Sequence, residues 1–348
     1  MKIENYADCL AELKGKNRKL SLLMGNGFSM AYDHEIFSYN ALQIFIVELN
    51  DPILDKLFEV VKSKNLEVIM QQLHVLSQLL DVFSNSNDEL KTKIIAADTA
   101  LRQGLIDAVK ALHPEHVFKI PENKIATCYK FLEPFLTGTG NIFTTNYDIL
   151  LYWVLMRSGY HNHNDGFGYE LENPEEPDPD KHIHSTVLTW GCFNGGKQNL
   201  HYLHGALHLF DNGINIEKET YNEGKYLLEY IEERMDNNEY PVFVTAGDGD
   251  EKLSQIMHNQ YLQYCYQNLC SIQGSLIAFG FNFGPYDEHI IKAINQAAHH
   301  GRKSGDKLFS VYIGVYSEED VKHVNSIAGK FRCKVRMFDA KTASVWGD

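Results

Sequence analysis

The chain has 348 residues, with 32 Lys and Arg against 46 Asp and Glu, a formal net charge of −14. Hydrophobic residues make up 44% and charged residues 22%, which is a globular composition and too apolar for a disordered chain. The acidic balance argues against a protein that grips nucleic acid directly, because phosphate neutralisation needs clustered Lys and Arg. The six cysteines, Cys9, Cys128, Cys192, Cys265, Cys270 and Cys333, contain no C-x-x-C pair. A zinc ribbon is therefore disfavoured, and the scatter is unlike a small disulfide scaffold. Residues 1–19 lack the apolar core of a signal peptide, and no apolar run approaches the ~18 residues of a membrane helix. These features predict a soluble, cytoplasmic protein with free thiols and no membrane segment.

In chain order, residues 3–14 read as a short amphipathic helix. Residues 19–24 are a compact apolar run that leads directly into Gly25-Asn26-Gly27-Phe28-Ser29. A buried strand entering a Gly-rich turn is the start of an α/β nucleotide-binding unit. Residues 36–135 read mostly as helix. Within them Leu66, Ile69, Met70, Leu73, Leu76 and Leu80 fall on one helical face, and 89–112 continue with similar spacing. This predicts a helical insertion after the first strand. Residues 141–144 are a short strand ending at Thr145-Asn146-Tyr147-Asp148, followed by a helix over 149–156.

Residues 160–200 read as loops with short strands. Residues 170–180 hold six acids and no base, the pattern of a solvated surface loop. Residues 202–205 close a further strand, and 206–210 begin another. A strand is expected over 241–246, a helix over 251–270, a strongly buried strand over 275–281 and a helix over 286–299. A strand over 308–315, a helix over 317–328 and a strand over 333–338 follow. Strands alternating with helices imply a Rossmann-like α/β fold: a mainly parallel sheet covered by helices on both faces. Residues 1–348 read as one such domain, with 36–135 inserted into it.

Four clusters sit where predicted strands stop, which is where open α/β sheets bind ligands. In Gly25-Asn26-Gly27-Phe28-Ser29, glycines would admit a pyrophosphate to the backbone and Ser29 would add a hydroxyl donor. A plain tight turn would look the same. In Thr144-Thr145-Asn146-Tyr147-Asp148, Asn146 could hold a ribose hydroxyl or orient a water. Thr145, Asn146 or Asp148 could equally cap the next helix. His204, before Gly205, suits general-base work, although a lone His is more often structural and this chain has 16. In Gly280-Phe281-Asn282-Phe283-Gly284, Gly280 would let amides approach a cofactor and Asn282 would contact it. Asp287 and His289 follow, and Asp287 is open between a ligand contact and a first-turn acid. His161/His163 and His182/His184 are spaced i, i+2 but complete no metal-ligand pattern, so no metal is expected.

Taken in order, the four clusters resemble the sirtuin-type NAD-binding fold over about residues 20–290. The sirtuin Gly-Ala-Gly-x-Ser run is matched by Gly25-Asn26-Gly27-Phe28-Ser29 and the Thr-x-Asn-x-Asp motif by Thr144 to Asp148. The catalytic His before Gly is matched by His204-Gly205, and a late Gly-rich strand end loosely by Gly280-Phe281-Asn282. The chain lacks the four-cysteine zinc module of sirtuin deacylases and carries a long helical segment after the first loop. Both departures are more similar to the sirtuin-like NADases of bacterial anti-phage defence.

That resemblance implies an NAD glycohydrolase that depletes NAD in abortive infection once a separate sensor or activator protein, or a nucleotide signal, relieves inhibition. Asn146 and His204 would be catalytic. Gly25, Asn26, Gly27, Phe28, Ser29, Thr145, Asp148, Gly280, Asn282 and Asp287 would bind NAD. Homo- or hetero-oligomerisation and no direct contact with nucleic acid are implied as well. The alternatives are a sirtuin-type deacylase or ADP-ribosyltransferase, or a non-catalytic NAD-sensing subunit.

Overall fold

Leu20–Met24 forms strand β2 with all five residues buried, and Gly274–Phe279 forms β10 with all six buried. Strands buried on both faces belong to the middle of a parallel sheet with layers above and below it. In the computed structural model, which describes residues 2–34, 52–61, 66–83, 88–114, 116–169, 187–192, 196–221, 225–237, 239–244, 248–298 and 307–347, these two strands are neighbours. The seven-stranded parallel sheet runs β1 (Ile3–Glu4), β12 (Lys334–Asp339), β11 (Leu308–Val315), β10, β2, β3 (Asn141–Thr144), β6 (Leu200–Tyr202). Flanking helices include Tyr6–Gly15, Glu122–Leu136, Gln260–Leu269, Glu288–Ala297 and Glu318–Ile327. The expected α/β architecture is therefore present.

The strand order has one switch point. From β2 the chain steps outward to β3 and β6, and from β10 it steps outward the other way to β11 and β12. The carboxyl ends of β2 and β10 thus border the crevice where ligands bind in open sheets of this kind.

A second sheet is antiparallel: β4 (Phe167–Gly168), β5 (Val187–Trp190), β8 (Ile216–Glu219), β7 (Gly205–Asp211), β9 (Pro241–Phe243). The sequence reading placed mostly loops in its first part. Its strands are short, and β8 buries Lys218 and Glu219, so the alternation of apolar and polar residues is lost. Lys218 Nζ lies 2.5 Å from Asp165 Oδ2 and 5.2 Å from the ring centres of both Tyr152 and Phe167. Removing one partner of a buried pair strands the other charge. Lys218→Met is expected to lower the unfolding free energy by about 3 kcal/mol in urea titration. A change below ~1 kcal/mol would mean that the pair is hydrated.

Between β2 and β3 the described helices are Gly27–Tyr32, Pro52–Val61, Leu66–Phe83, Asp88–Leu112, the short Val117–Lys119 and Glu122–Leu136. Leu66–Phe83 packs on Asp88–Leu112. Ile69, Leu73, Ile94, Ala97 and Leu101 are buried, whereas Leu76 is 43% exposed, so the helical stripe is only partly used. The part of the expected insertion over 36–51 lies outside the described residues, as does the acidic loop 170–180.

Element ends shift by a few residues throughout, and two elements differ in kind from the sequence reading. The first helix begins at Tyr6 because Asn5 caps it, accepting from the Ala7 N–H, and Ile3–Glu4 is an edge strand. The helix expected over 251–270 is two, Gly249–His258 and Gln260–Leu269. Asn259 turns extended between them and accepts from the Leu262 N–H. All six cysteines are free, and Cys9, Cys128, Cys265 and Cys270 are buried. No described helix is long and apolar enough to cross a membrane.

Candidate functional site

All four strand-end clusters project from the carboxyl ends of adjacent strands, β10, β2, β3 and β6. Local backbone bonds tie these ends together. The Thr145 N–H donates to the Met24 carbonyl at 3.1 Å, and the Leu203 N–H donates to the Thr144 carbonyl at 2.8 Å. The Thr145 hydroxyl also reaches the Met24 carbonyl, at 3.4 Å.

The glycines have a specific use here. A Cβ on Gly27 would sit 2.5 Å from Gly280 Cα, and one on Gly25 would sit 2.7 Å from the Gly280 carbonyl oxygen. Gly280 itself has φ +64°, and a Cβ there would meet the Gly27 backbone at 2.6 Å. The Gly25 N–H donates to the Phe279 carbonyl, Gly27 N–H to Gly280 and Phe28 N–H to Gly25. The β2 and β10 ends are thus packed backbone on backbone. Three amides expected to meet a pyrophosphate are already donated within the protein.

Gly280→Ala is expected to cost about 2 kcal/mol or more, through the positive φ and the clash. Gly284→Ala, whose Cβ would meet nothing closer than 3.6 Å, is the matched control. Equal melting temperatures for the two variants would contradict this packing.

Phe28 and Ser29 also differ from expectation. Phe28 is buried against Trp346, whose indole N–H donates to the Phe28 carbonyl at 2.8 Å. It is a core residue, not a ligand contact. Asn146 Nδ2 donates to Ser29 Oγ at 2.8 Å, and Ser29 Oγ donates to Asp148 Oδ2 at 2.5 Å. The only Ser29 hydroxyl proton is therefore committed to Asp148, and Ser29 orients Asn146 instead of donating to a diphosphate.

Asp148 is buried, and burial pushes its carboxyl above the usual range against the opposing pull of Ser29 and the Leu150 N–H. Its other oxygen accepts from the Leu150 N–H at 3.0 Å. Asp148, not Asn146, thus meets the next helix, Leu150–Arg157. Asn146 Oδ1 is buried and has no hydrogen-bond partner among the described residues. An unmatched buried acceptor is uncommon and calls for a reason.

His204 follows β6 and is 2% exposed. Its Nε2 lies 2.8 Å from Nε2 of His289, on the helix Glu288–Ala297. Its carbonyl accepts from the Val244 N–H at 3.0 Å, and the Val244 carbonyl accepts from the Tyr147 hydroxyl at 2.8 Å. Val244 therefore joins the His204 group to the Asn146 loop. Burial first, then His289 and Lys252, hold the His204 imidazole well below its usual pKa. His289 is pushed down to about 3 by burial, then by Lys252 and Lys292. Burial thus favours the neutral form of both rings.

Lys252 is fully buried, and its Nζ is 3.5 Å from Asp287 Oδ1. Asp287 precedes the helix Glu288–Ala297 but makes no capping bond. It is a first-turn acid of the short 3₁₀ helix Pro285–Asp287, one of its two expected readings, and it also faces the Lys252 cation. Asn282 is exposed, and its carbonyl accepts from His323 Nε2 at 2.8 Å. Asn26 precedes the helix Gly27–Tyr32 without a side-chain cap.

Sequence reasoning noted His289 beside the fourth cluster but gave it no role, and it did not single out Lys252. The Gly-rich strand end before His289 was the only signal, and nothing distinguished Lys252. Among the described residues no group of three or more His, Cys, Asp or Glu gathers as a metal site. His182 and His184 lie outside the described residues. A groove of about 570 Å³, lined by Lys14, Arg18, Lys19 and Glu133 among others, lies at the opposite ends of β2 and β3 and holds none of these residues.

Comparison with curated proteins gives no match. The model of one family, a domain of unknown function (DUF4917), matches residues 22–346, which includes every loop of the site and all of its strands except Leu20 and Ser21 of β2. The chain belongs to that family.

Proposed function

We propose that the chain is an NAD glycohydrolase that cleaves NAD to nicotinamide and ADP-ribose. The observation that carries this reading is the gathering of the four motifs at the switch point, with the buried Oδ1 of Asn146 left unmatched. An acceptor held in place by Ser29 and Asp148 suits a ribose hydroxyl or a water. In the reaction the bond between ribose C1′ and the nicotinamide nitrogen breaks, and its electron pair leaves with nicotinamide. The sugar becomes oxocarbenium-like, water adds at C1′, and the water proton passes to solvent. Asn146 orients the hydroxyl or the water, and His204 contacts a ribose oxygen. The buried Lys252 adds positive potential that suits the diphosphate of the substrate. Preorganised dipoles of this kind act strongly in a closed, low-dielectric site.

The role in anti-phage defence, the separate activator protein and the assembly into oligomers rest on the sirtuin-like resemblance alone and belong to this proposal. The deciding experiment incubates purified protein with NAD and follows free nicotinamide, with and without an acylated peptide. Release without peptide is expected. Release only with peptide would make the chain a deacylase, and saturable NAD binding without any release would make it a sensor. Because activation by a partner is part of the proposal, the assay is repeated in cells expressing the chain with its neighbouring genes, with total NAD as the readout.

A further inference from the structure

His204 and His289 meet through their Nε2 atoms at 2.8 Å, with ring centroids 5.0 Å apart and planes 26° from parallel. One imidazole must donate and the other accept, so a single proton lies between the two Nε2 atoms. Two neutral arrangements satisfy this. If His204 donates, His289 carries its own proton on Nδ1. If His289 donates, its Nδ1 is a bare lone pair, and His204 carries its proton on Nδ1.

The surroundings of His289 separate the two. It is fully buried, and its Nδ1 has no hydrogen-bond partner among the described residues. The first arrangement would leave an orphaned N–H in the interior. The second leaves only an unmatched lone pair, and buried donors without acceptors are the rarer defect. Charge acts in the same direction. The fully buried Lys252 and the more exposed Lys292 both place positive charge near His289. Cations stabilise a lone pair and disfavour an added N–H dipole. Two acids temper them: Asp287 lies beside Lys252, and Asp250 pairs with Lys292. The backbone of His289 is held as well, because the Tyr266 hydroxyl donates to its carbonyl at 3.0 Å.

We propose that His289 donates its Nε2 proton to His204 and so holds His204 in the Nδ1–H tautomer, which makes His204 a hydrogen-bond donor toward its ligand instead of a proton acceptor. His289 is then a positioning residue. The ligand atom facing His204 is an acceptor oxygen, such as a ribose hydroxyl oxygen. The catalytic consequence rests on the glycohydrolase reading, whereas the tautomer itself is observable without turnover.

The test labels the full chain with ¹⁵N-histidine and records two-bond ¹H–¹⁵N correlations near neutral pH. His204→Asn and His289→Gln spectra assign the signals. The expected spectrum has a protonated Nδ1 and an accepting Nε2 on His204, and the reverse on His289. A bare Nδ1 on His204 overturns the proposal whether or not the protein cleaves NAD. The expected spectrum without nicotinamide release supports the tautomer and counts against the glycohydrolase alone.

Where turnover is measurable, variants separate donor from base. His204→Ala is expected to lose about 100-fold or more, and His204→Asn, whose amide Nδ2 takes the place of Nδ1–H, to recover about tenfold of that. His289→Glu, which forces His204 to donate from Nε2, is expected to lower kcat/KM about tenfold, while His289→Gln stays closer to wild type. An increase with His289→Glu would identify His204 as a base and overturn the donor role.

Discussion

Asn146→Ala is expected to lower nicotinamide release by about 10²–10³-fold while the protein stays folded. The side chain has two ends with different work. Its Nδ2 is committed to Ser29 Oγ, which in turn donates to Asp148. Its Oδ1 is buried and has nothing to accept among the described residues. Truncation therefore removes the bond to Ser29, a hydrogen bond to the Asp148 carboxylate and one unmatched acceptor. The lost bonds outweigh the relieved acceptor by about 1–2 kcal/mol, which lowers the melting temperature but leaves the fold intact. Ser29 keeps its donation to Asp148, and the Leu150 N–H keeps its acceptor, so the following helix is not uncapped. A residue that only caps a helix would behave the opposite way, with stability lost and activity per folded molecule kept. Ser29→Ala should show a weaker form of the same loss, about tenfold, because Asn146 remains but is no longer oriented. Near-normal turnover in Asn146→Ala would remove it from the mechanism, and with it the main support for the glycohydrolase reading.

The sequence exposed the strand ends well because the strands themselves are strong signals. Leu20–Met24 and Gly274–Phe279 are buried on both faces, so they appear as apolar runs, with Ser21 and Ser275 as their only polar side chains, followed by glycine. The meaning of those glycines was not legible. A loop that admits a phosphate and a loop that admits another backbone both exclude a Cβ, and Gly27 against Gly280 is the second kind. His289 was hidden for another reason. It lies 85 positions from His204 in sequence, and the pairing depends on which face of the helix Glu288–Ala297 turns inward. Lys252 looked like any surface lysine until helix Gly249–His258 buried it. In the small antiparallel sheet β7 and β9 were legible, but β4, β5 and β8 escaped because they are two to four residues long and β8 buries Lys218 and Glu219. Hydrophobic periodicity finds elements that obey it, and partnered buried charges break it.

Acid is expected to unfold this protein earlier than carboxylate protonation alone would. His113, His201, His204, His208 and His289 are all 5% exposed or less. Burial is the leading cause in each case. It holds His113, His201 and His289 down to about 3, and His204 and His208 well below the usual value. An unfolded chain binds a proton at each of these rings below about pH 6.5, and the native state does not. Stability is therefore level above that pH and falls as pH drops from about 6.5 toward the depressed native values. Each ring contributes about 1 kcal/mol over the first pH unit, so five amount to roughly 5 kcal/mol against a total of ~5–15 kcal/mol. Asp148 works against this. Its raised carboxyl contributes stability below its unfolded pKa that is lost as pH rises through its native one, but it is a single group. Urea midpoints should hold steady from pH 8 to 7 and drop steeply toward pH 5.5. His208 provides the internal control. Neither of its ring nitrogens has a partner among the described residues, and it stacks on Tyr152 at 4.9 Å and meets Tyr202 edge-on at 5.2 Å. His208→Phe keeps those ring contacts and removes the unmatched nitrogens, so it should stabilise the protein by about 1 kcal/mol at neutral pH. It should also shallow the acid slope by one histidine's share. Midpoints that do not change between pH 7 and 5.5 would mean that these rings are hydrated or already charged in the native state.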